Sequence, residues 1–128
     1  MSVMRGLITL YSAVFLEHKP PFPHPERPER LKIALSSLRR HELLGEVVEP
    51  KPAEEEDLYR VHDPEYVAEV RDLIESGVSM LDNDTYVSRG TMRAALTAAG
   101  ASLAAAETAL EGRVIIVLPR PPGHHAGR

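Results

Sequence analysis

The sequence predicts an α/β protein built around a parallel sheet. The first observation is the uninterrupted apolar run Val114–Leu118, which is rich in β-branched residues and lies between Gly112 and Pro119. Such a run is typical of a strand that is buried on both faces, as in a parallel sheet. The second observation is the order of the predicted elements, in which a strand, a helix, a strand, further helices and a strand follow one another.

The first half of the chain supplies two of these strands and one helix. Gly6–Tyr11 has the pattern of a first strand, whereas Lys19–Pro28 holds five prolines in ten positions and predicts an ordered loop or an extended arm. Pro28 fits the first turn of a helix, where its missing N–H costs nothing. Apolar residues at helical spacing continue this helix to about Leu44, before a terminating glycine. Val47–Val48 is the candidate second strand.

Two shorter helices are predicted in the middle of the chain. Ala53–Val61 is acidic and has two inward-facing apolar residues. Asp63 followed by Pro64 is a typical N-cap and first helical position, and apolar residues then recur at helical spacing to near Gly77. We interpret Asp63 as a cap and not as a catalytic residue.

The longest helix is predicted at Arg89–Glu111, after a loop at Met80–Val87, with Ser88 as its cap. Its many alanines favour close packing against a flat surface such as a sheet, although Gly100 weakens the helix by about 1 kcal/mol. The residues predicted to line its buried side are Met92, Ala95, Leu96, Ala99, Leu103, Ala106 and Leu110.

Composition limits the classes of function. A chain of 128 residues suits one domain, residues 1–128, with a modest core. A net charge of −4 argues against direct nucleic-acid binding. The sequence has neither an apolar run long enough for a membrane helix nor a secretory leader pattern, and it has no cysteine for a disulfide or a thiolate metal site. We therefore expect a soluble, cytoplasmic protein that does not bind membranes.

The strongest candidates for chemistry are His124 and His125, which follow Arg-Pro-Pro-Gly directly behind the apolar run. Ligands of open parallel sheets bind beyond the carboxyl ends of the strands. The two prolines stiffen the turn, and Gly123 permits a close approach to a substrate. One imidazole can accept a proton while its neighbour donates a hydrogen bond, which suits hydrolysis of an amide. The alternative is a pair of solvated histidines, and the residue types alone favour neither interpretation.

Several segments of the sequence, including the one that carries the two histidines, resemble a known family. Arg120–Ala126 is similar to the signature of zinc-dependent deacetylases, which include histone deacetylases, acetoin-utilisation proteins and acetylpolyamine amidohydrolases. His24–Leu31, Val61–Val67 and Asp84–Ser88 resemble further segments of these enzymes in the same order along the chain. The resemblance implies a three-layer α/β/α fold of the arginase–deacetylase type, of which this chain forms a part, with its first three strands in the order 2-1-3.

The resemblance also implies roles for five residues. His124 would interact with the metal-bound water and support the tetrahedral intermediate and the leaving amine, and His125 would act as general base. Asp84 would accept hydrogen bonds from substrate at the pocket rim, Gly123 would border the acyl tunnel, and Arg30 would line an internal channel. Two of these have structural alternatives, since Asp84 lies where short acids make turn hydrogen bonds and Arg30 lies where surface ion pairs are common.

The remaining histidines have structural interpretations. His24, between prolines, is expected to pack within its loop. His62 is expected to fasten a helix junction. We expect His18 and His41 to face solvent.

The metal ligands implied by the family come from a later segment that does not occur in this sequence. Asp82, Asp84, His124 and His125 contain suitable donors, but their spacing does not require a metal site. We therefore expect zinc in the full-length family enzyme, no metal on this chain, and no appreciable deacetylase activity from this chain by itself.

Two hypotheses remain open. The chain is either the N-terminal segment of a zinc-dependent amide deacetylase, acting on acetyl-lysine, acetylpolyamine or a similar acetylated amine, or a stand-alone module for oligomerisation or partner binding. In the full-length enzyme another strand would flank Val114–Leu118, whereas in this chain the run would form an exposed apolar edge, which invites pairing with another chain. We expect a homo-oligomer or a complementary C-terminal chain as the partner.

Overall fold

The computed structural model describes residues 6–123, and a three-stranded parallel sheet lies at its centre. The strands are β1 (Leu7–Leu10), β2 (Glu46–Val48) and β3 (Val114–Val117), in the order β2-β1-β3. Ile8 is paired with Glu46 on one side and with Ile115 on the other. The α/β class and the strand order expected from the resemblance are therefore confirmed.

Four α-helices and one 3₁₀ helix surround the sheet in the described residues. They are α1 (Glu29–Arg40), α2 (Glu55–Leu58), α3 (Pro64–Glu75), α4 (Thr91–Leu110) and the 3₁₀ helix Ala13–Glu17, which the sequence pattern did not predict. α4 packs against β3 and against the 3₁₀ helix. The main apolar cluster lies between these elements and consists of Ile8, Leu10, Phe15, Leu31, Ala98 and Ala101. No helix in residues 6–123 is both long and apolar enough to cross a membrane.

The prediction that Val114–Leu118 is buried on both faces is wrong for this chain. Val114 is 67% exposed and the next four residues are only partly buried. In contrast, all four residues of β1 are buried. The reason is position, because β1 is the central strand and β3 lies at the edge of the described sheet.

The predicted buried face of α4 is also wrong. The side that is buried carries small residues, namely Thr91, Ala94, Thr97, Ala98, Gly100 and Ala101. Leu103 is 42% exposed and Leu110 is 89% exposed. An alanine-rich helix has apolar residues all round, so periodicity alone does not select a face. Close packing against the sheet and the 3₁₀ helix selects the smallest side chains.

The ends of α1 and α2 differ from the predicted ones. α1 stops at Arg40 because Glu42 adopts a left-handed conformation with φ 58°, and the Leu43 N–H donates to the Leu38 carbonyl at 2.8 Å. This is the hydrogen bond of a Schellman motif with a residue other than glycine at its left-handed position. α2 is shorter than predicted and begins with a capping box, in which the side chains of Glu54 and Asp57 each accept a hydrogen bond from the other residue's main-chain N–H.

The predicted caps of α3 and α4 are only partly correct. Asp63 occupies the N-cap position of α3 and Pro64 its first turn, but the Asp63 side chain makes no capping hydrogen bond. Gly90, not Ser88, is the N-cap of α4. The Ser88 hydroxyl instead donates to the Glu17 carbonyl at 2.8 Å and fastens the start of α4 to the 3₁₀ helix.

Gly100 allows a chain crossing that the sequence did not reveal. The segment 51–53 passes over α4 at this glycine, and the Ala53 N–H donates to the Leu96 carbonyl at 2.8 Å. A Cβ atom at position 100 would lie 1.9 Å from the Lys51 carbonyl oxygen. The lower helix propensity of glycine is therefore offset by a contact that no other residue permits.

Candidate functional site

The candidate site lies where the chain leaves the carboxyl ends of β1 and β3. Because these strands are parallel, the 3₁₀ helix and proline-rich loop that follow β1 and the turn that follows β3 emerge at the same edge of the sheet. Arg120 is three residues beyond the end of β3 and is only 2% exposed. A buried arginine at this edge requires partners for its charge.

Arg120 forms hydrogen bonds with three separate parts of the chain. Its Nε and Nη2 atoms donate to the two carboxylate oxygens of Glu26, both at 2.7 Å. Its Nη1 atom donates to the Phe15 carbonyl at 2.7 Å, and Nη2 also donates to the Tyr86 hydroxyl at 2.6 Å. This bidentate geometry is the strong form of a charge-assisted hydrogen bond. The side chain therefore ties the turn after β3 to the first loop and to the loop before α4.

The Tyr86 hydroxyl also contacts Glu26, and we refer to Arg120, Glu26 and Tyr86 together as the Arg120 cluster. It donates to Glu26, lying 2.6 Å from both Oε2 and the main-chain carbonyl oxygen. Burial raises the pKa of Glu26, but hydrogen bonds from Arg120 and Tyr86 and the Arg120 charge outweigh it, so the pKa is lowered overall. Burial and the hydrogen bond to Glu26 raise the pKa of Tyr86. Glu26 is thus held as the carboxylate and Tyr86 as the neutral phenol.

His18 packs against the Arg120 cluster and does not face solvent as the sequence suggested. It is 5% exposed, and its ring stacks on that of Tyr86 with the centroids 4.4 Å apart. Its Nδ1 atom lies 2.8 Å from the Thr91 hydroxyl. Burial and the nearby Arg120 charge lower the pKa of His18 to about 4, against a smaller opposite effect of Glu26. The 3₁₀ helix that precedes His18 turns it inward, and this element was missing from the prediction.

His24 and Asp84 form a direct contact at the outer side of the cluster. The Nε2 atom of His24 lies 3.0 Å from Oδ1 of Asp84, and the His24 ring meets the Tyr86 ring edge-on with the centroids 5.1 Å apart. The turn hydrogen bonds that were considered for Asp84 belong to Asp82, whose Oδ1 accepts from the main-chain N–H groups of Asp84 and Thr85. The Asp84 side chain is 87% exposed and so remains accessible at the surface.

The other predicted site residues lie around this region or beyond it. Arg30 is on the exposed first turn of α1, with Nη1 at 3.8 Å from Oε1 of Glu26. Gly123 is exposed, and a Cβ atom there would meet nothing within 4 Å among the described residues. His124 and His125 lie outside the described residues, so their roles and the tunnel position of Gly123 stay predictions.

The two remaining histidines have different surroundings. His41 is exposed at the end of α1, as expected. The His62 ring lies 5.3 Å from that of Tyr66, which is consistent with a role at the junction before α3.

The described residues do not fit the metal site of a catalytic zinc enzyme. Such a site needs three protein ligands around an open position. Within residues 6–123, no group of three histidine, aspartate or glutamate side chains could hold a metal ion. His24 and Asp84 are directed at each other and supply only two donors.

Sequence reasoning missed three residues of this site. Arg120, Glu26 and Tyr86 all lie in the quoted motif segments, yet they received no role. The sequence did contain a sign of their role, because these three residues belong to three different motifs that lie far apart in the chain. One motif holds an acid, another a tyrosine and the third an arginine, and these side chains can bind one another. Their presence would have suggested that the three segments lie in contact.

Comparison with known proteins shows the family of this chain. The model of the histone deacetylase domain matches residues 24–128. The chain belongs to the histone deacetylase family. Members of this family are typically zinc-dependent.

Relatives and a solved structure agree with this assignment. A probable deacetylase of Archaeoglobus fulgidus is 36% identical over 118 residues, covering 88% of this chain and 33% of the relative. The human polyamine deacetylase HDAC10 is 39% identical over 113 residues, covering 80% of this chain and 17% of HDAC10. The crystal structure of the HDA15 HD domain superposes with a TM-score of 0.85 and 32% identity, covering 94% of this chain and 37% of that domain. The chain thus spans about a third of the length of the archaeal relative.

Proposed function

We propose that this chain supplies the histidine pair and the substrate rim of a zinc-dependent amide deacetylase. The substrate is an acetylated amine such as acetyl-lysine or an acetylpolyamine. The observation that carries the proposal is the Arg120 cluster, which joins three of the four deacetylase-like segments through Arg120, Glu26 and Tyr86. Hydrogen bonds therefore hold the turn that leads to His124 close to the loop that carries Asp84.

The proposed chemistry divides proton transfer between the two histidines. Hydrolysis of an amide requires a water molecule to lose a proton and the departing amine to gain one. In this proposal His125 takes a proton from water as the water oxygen bonds to the acetyl carbon. His124 supports the tetrahedral intermediate and, in its protonated form, gives a proton to the amine nitrogen as the C–N bond breaks, and proton exchange with solvent then restores both rings. Gly123 leaves room for the acyl group and Arg30 lines the channel beyond it.

Asp84 is proposed to bind the part of the substrate that stays outside the acyl tunnel. Its carboxylate is exposed and lies in the loop between α3 and α4. A carboxylate at this position accepts hydrogen bonds from the N–H groups of a peptide or from a charged amine. This contact favours acetylated amines with a nitrogen donor near the acetyl group.

The metal ligands are proposed to come from polypeptide outside these 128 residues. The described residues lack a group that could hold zinc, and zinc would supply the Lewis-acid assistance that histidines cannot replace. The partner is either a complementary C-terminal chain or a covalent continuation. Chains without this partner are proposed to self-associate through β3, whose outer edge pairs with no described strand.

A reconstitution assay tests the proposed function. The 128-residue chain is incubated with zinc and an acetyl-lysine peptide, with and without a polypeptide that carries the metal-binding segment of the family. We expect turnover only in the reconstituted mixture, and a loss of about 100-fold or more for His125→Ala. His41→Ala, on an exposed helix end, is the matched control and should retain activity. Normal turnover by the chain alone would contradict the placement of the metal ligands, and no turnover in the mixture would contradict the proposed function.

A further inference from the structure

His24 links the proline-rich loop to the loop that carries Asp84. Its side chain is only 13% exposed, whereas the Asp84 side chain that it contacts is 87% exposed. The contact joins Nε2 of His24 to Oδ1 of Asp84 at 3.0 Å and spans 60 positions of sequence. A shielded histidine therefore holds an exposed carboxylate.

The hydrogen bonds of His24 define the position of its proton. Nδ1 accepts a hydrogen bond from the main-chain N–H of Glu26 at 3.0 Å. An imidazole nitrogen that accepts a hydrogen bond carries no proton, so the proton of the neutral ring is on Nε2. The Nε2–H group then donates to Asp84.

The ring of His24 is itself held in place. Tyr86 packs edge-on against it at 5.1 Å between centroids, and the Tyr86 hydroxyl is fixed by Arg120 and Glu26. The orientation of the ring is therefore set by the same cluster that anchors the turn after β3. A rigid donor of this kind is a suitable support for a residue that binds substrate.

Asp84 has no comparable support of its own. Its main-chain N–H donates to Asp82, but within residues 6–123 the only side-chain hydrogen bond of Asp84 is the one from His24. Without it, an exposed aspartate samples several rotamers. With the hydrogen bond from His24, Oδ1 of Asp84 is occupied and the carboxylate is held in one rotamer, which leaves Oδ2 free to accept from substrate.

We propose that His24 is a positioning residue that orients the Asp84 carboxylate for the nitrogen donor of an acetylated amine. This inference rests on the proposed function, because it assigns His24 a part in the substrate contact of Asp84. His24 acts only through Asp84. Its effect is on substrate binding and not on the proton transfers at the acetyl group.

Two substitutions separate this role from a purely structural one. His24→Gln retains an N–H donor at the position of Nε2, and His24→Asn retains only an acceptor at the position of Nδ1. If His24 orients Asp84, His24→Asn weakens binding of an acetyl-lysine peptide about fivefold and His24→Gln restores most of it. If His24 only stabilises its own loop through Glu26, the order of the two variants is reversed.

The experiment measures the Kd of a non-hydrolysable analogue of an acetyl-lysine peptide by calorimetry for the reconstituted protein, in the unsubstituted and Asp84→Ala backgrounds. We expect His24→Asn to have no further effect in the Asp84→Ala background. Additive effects of the two substitutions would overturn the inference while leaving the proposed function intact. No detectable binding by the unsubstituted protein would overturn both.

A second measurement uses the 128-residue chain without substrate. Long-range ¹H–¹⁵N spectra of the histidine rings report which ring nitrogen carries the proton. We expect the Nε2–H form for His24, and the same form in Asp84→Ala, because the Glu26 N–H still donates to Nδ1 there. An Nδ1–H form in the unsubstituted chain would overturn the inference whether or not the protein is a deacetylase.

Discussion

The guanidinium of Arg120 and the carboxylate of Glu26 form a bidentate pair, with both N–O distances at 2.7 Å, across 94 positions of sequence. The Arg120 side chain is 3% exposed and that of Glu26 is 16% exposed. Both charges have thus been largely removed from water, and each compensates for the other. Removing one partner leaves the other charge buried and uncompensated.

Arg120→Met should therefore destabilise the folded chain strongly. We expect the free energy of unfolding to fall by about 3 kcal/mol, because the Glu26 carboxylate loses its cation and Phe15 and Tyr86 lose a donor. Urea denaturation monitored by circular dichroism measures this change. Arg113→Met is the matched control, since Arg113 is exposed, and a similar loss in both variants would contradict the role of the pair.

Stability should depend on pH through His18. The pKa of His18 is lowered to about 4 in the folded chain by burial and by the Arg120 charge, from 6.5. Between these two values the unfolded chain binds a proton that the folded chain excludes, so the free energy of unfolding falls as the pH falls. The expected loss is about 3 kcal/mol from pH 7 to pH 4.

Denaturation series at several pH values between 7 and 4 test this dependence. In His18→Gln the slope in this window should become shallower, because the group that titrates has been removed. In His41→Gln the slope should stay as in the unsubstituted chain, since His41 is exposed. An unchanged slope in His18→Gln would show that another group is responsible.

Gly100→Ala should destabilise the chain even though alanine favours helices. The new Cβ atom would overlap the main chain at Lys51 and Ala53, and we expect a loss of about 3 kcal/mol. Ala106→Gly is the converse control on an exposed position of α4, and helix propensity predicts a loss of only about 1 kcal/mol there. A gain in stability for Gly100→Ala, measured by urea denaturation, would show that the segment 51–53 does not cross α4 at this point.

The free edge of β3 should cause self-association of the isolated chain. Val114 on this strand is 67% exposed and Leu110 at the end of α4 is 89% exposed. We expect light scattering at micromolar concentration to give a mass greater than that of one chain, and Val114→Lys to lower it because a charge protects a strand edge. Val61→Lys, at a position 59% exposed and away from the sheet, should not. A monomeric unsubstituted chain would contradict this prediction.

The sequence by itself determined the α/β class and the approximate positions of the three strands and of α1, α3 and α4. These features depend on local patterns, namely apolar runs, helical spacing and proline at helix starts. The family segments also pointed to Asp84 and to the loop of His24. Local patterns were sufficient because each of these features is decided within a few residues.

Only the tertiary structure decided which groups meet. Arg120, Glu26 and Tyr86 come together because β1 and β3 are parallel neighbours whose following loops leave the same edge of the sheet. His18 is buried because an unpredicted 3₁₀ helix turns it toward Tyr86. The buried face of α4 was set by how closely the helix approaches its neighbours. Burial and the pairing of charges depend on contacts between segments that are distant in sequence. Sequence periodicity is a local property and therefore does not predict them.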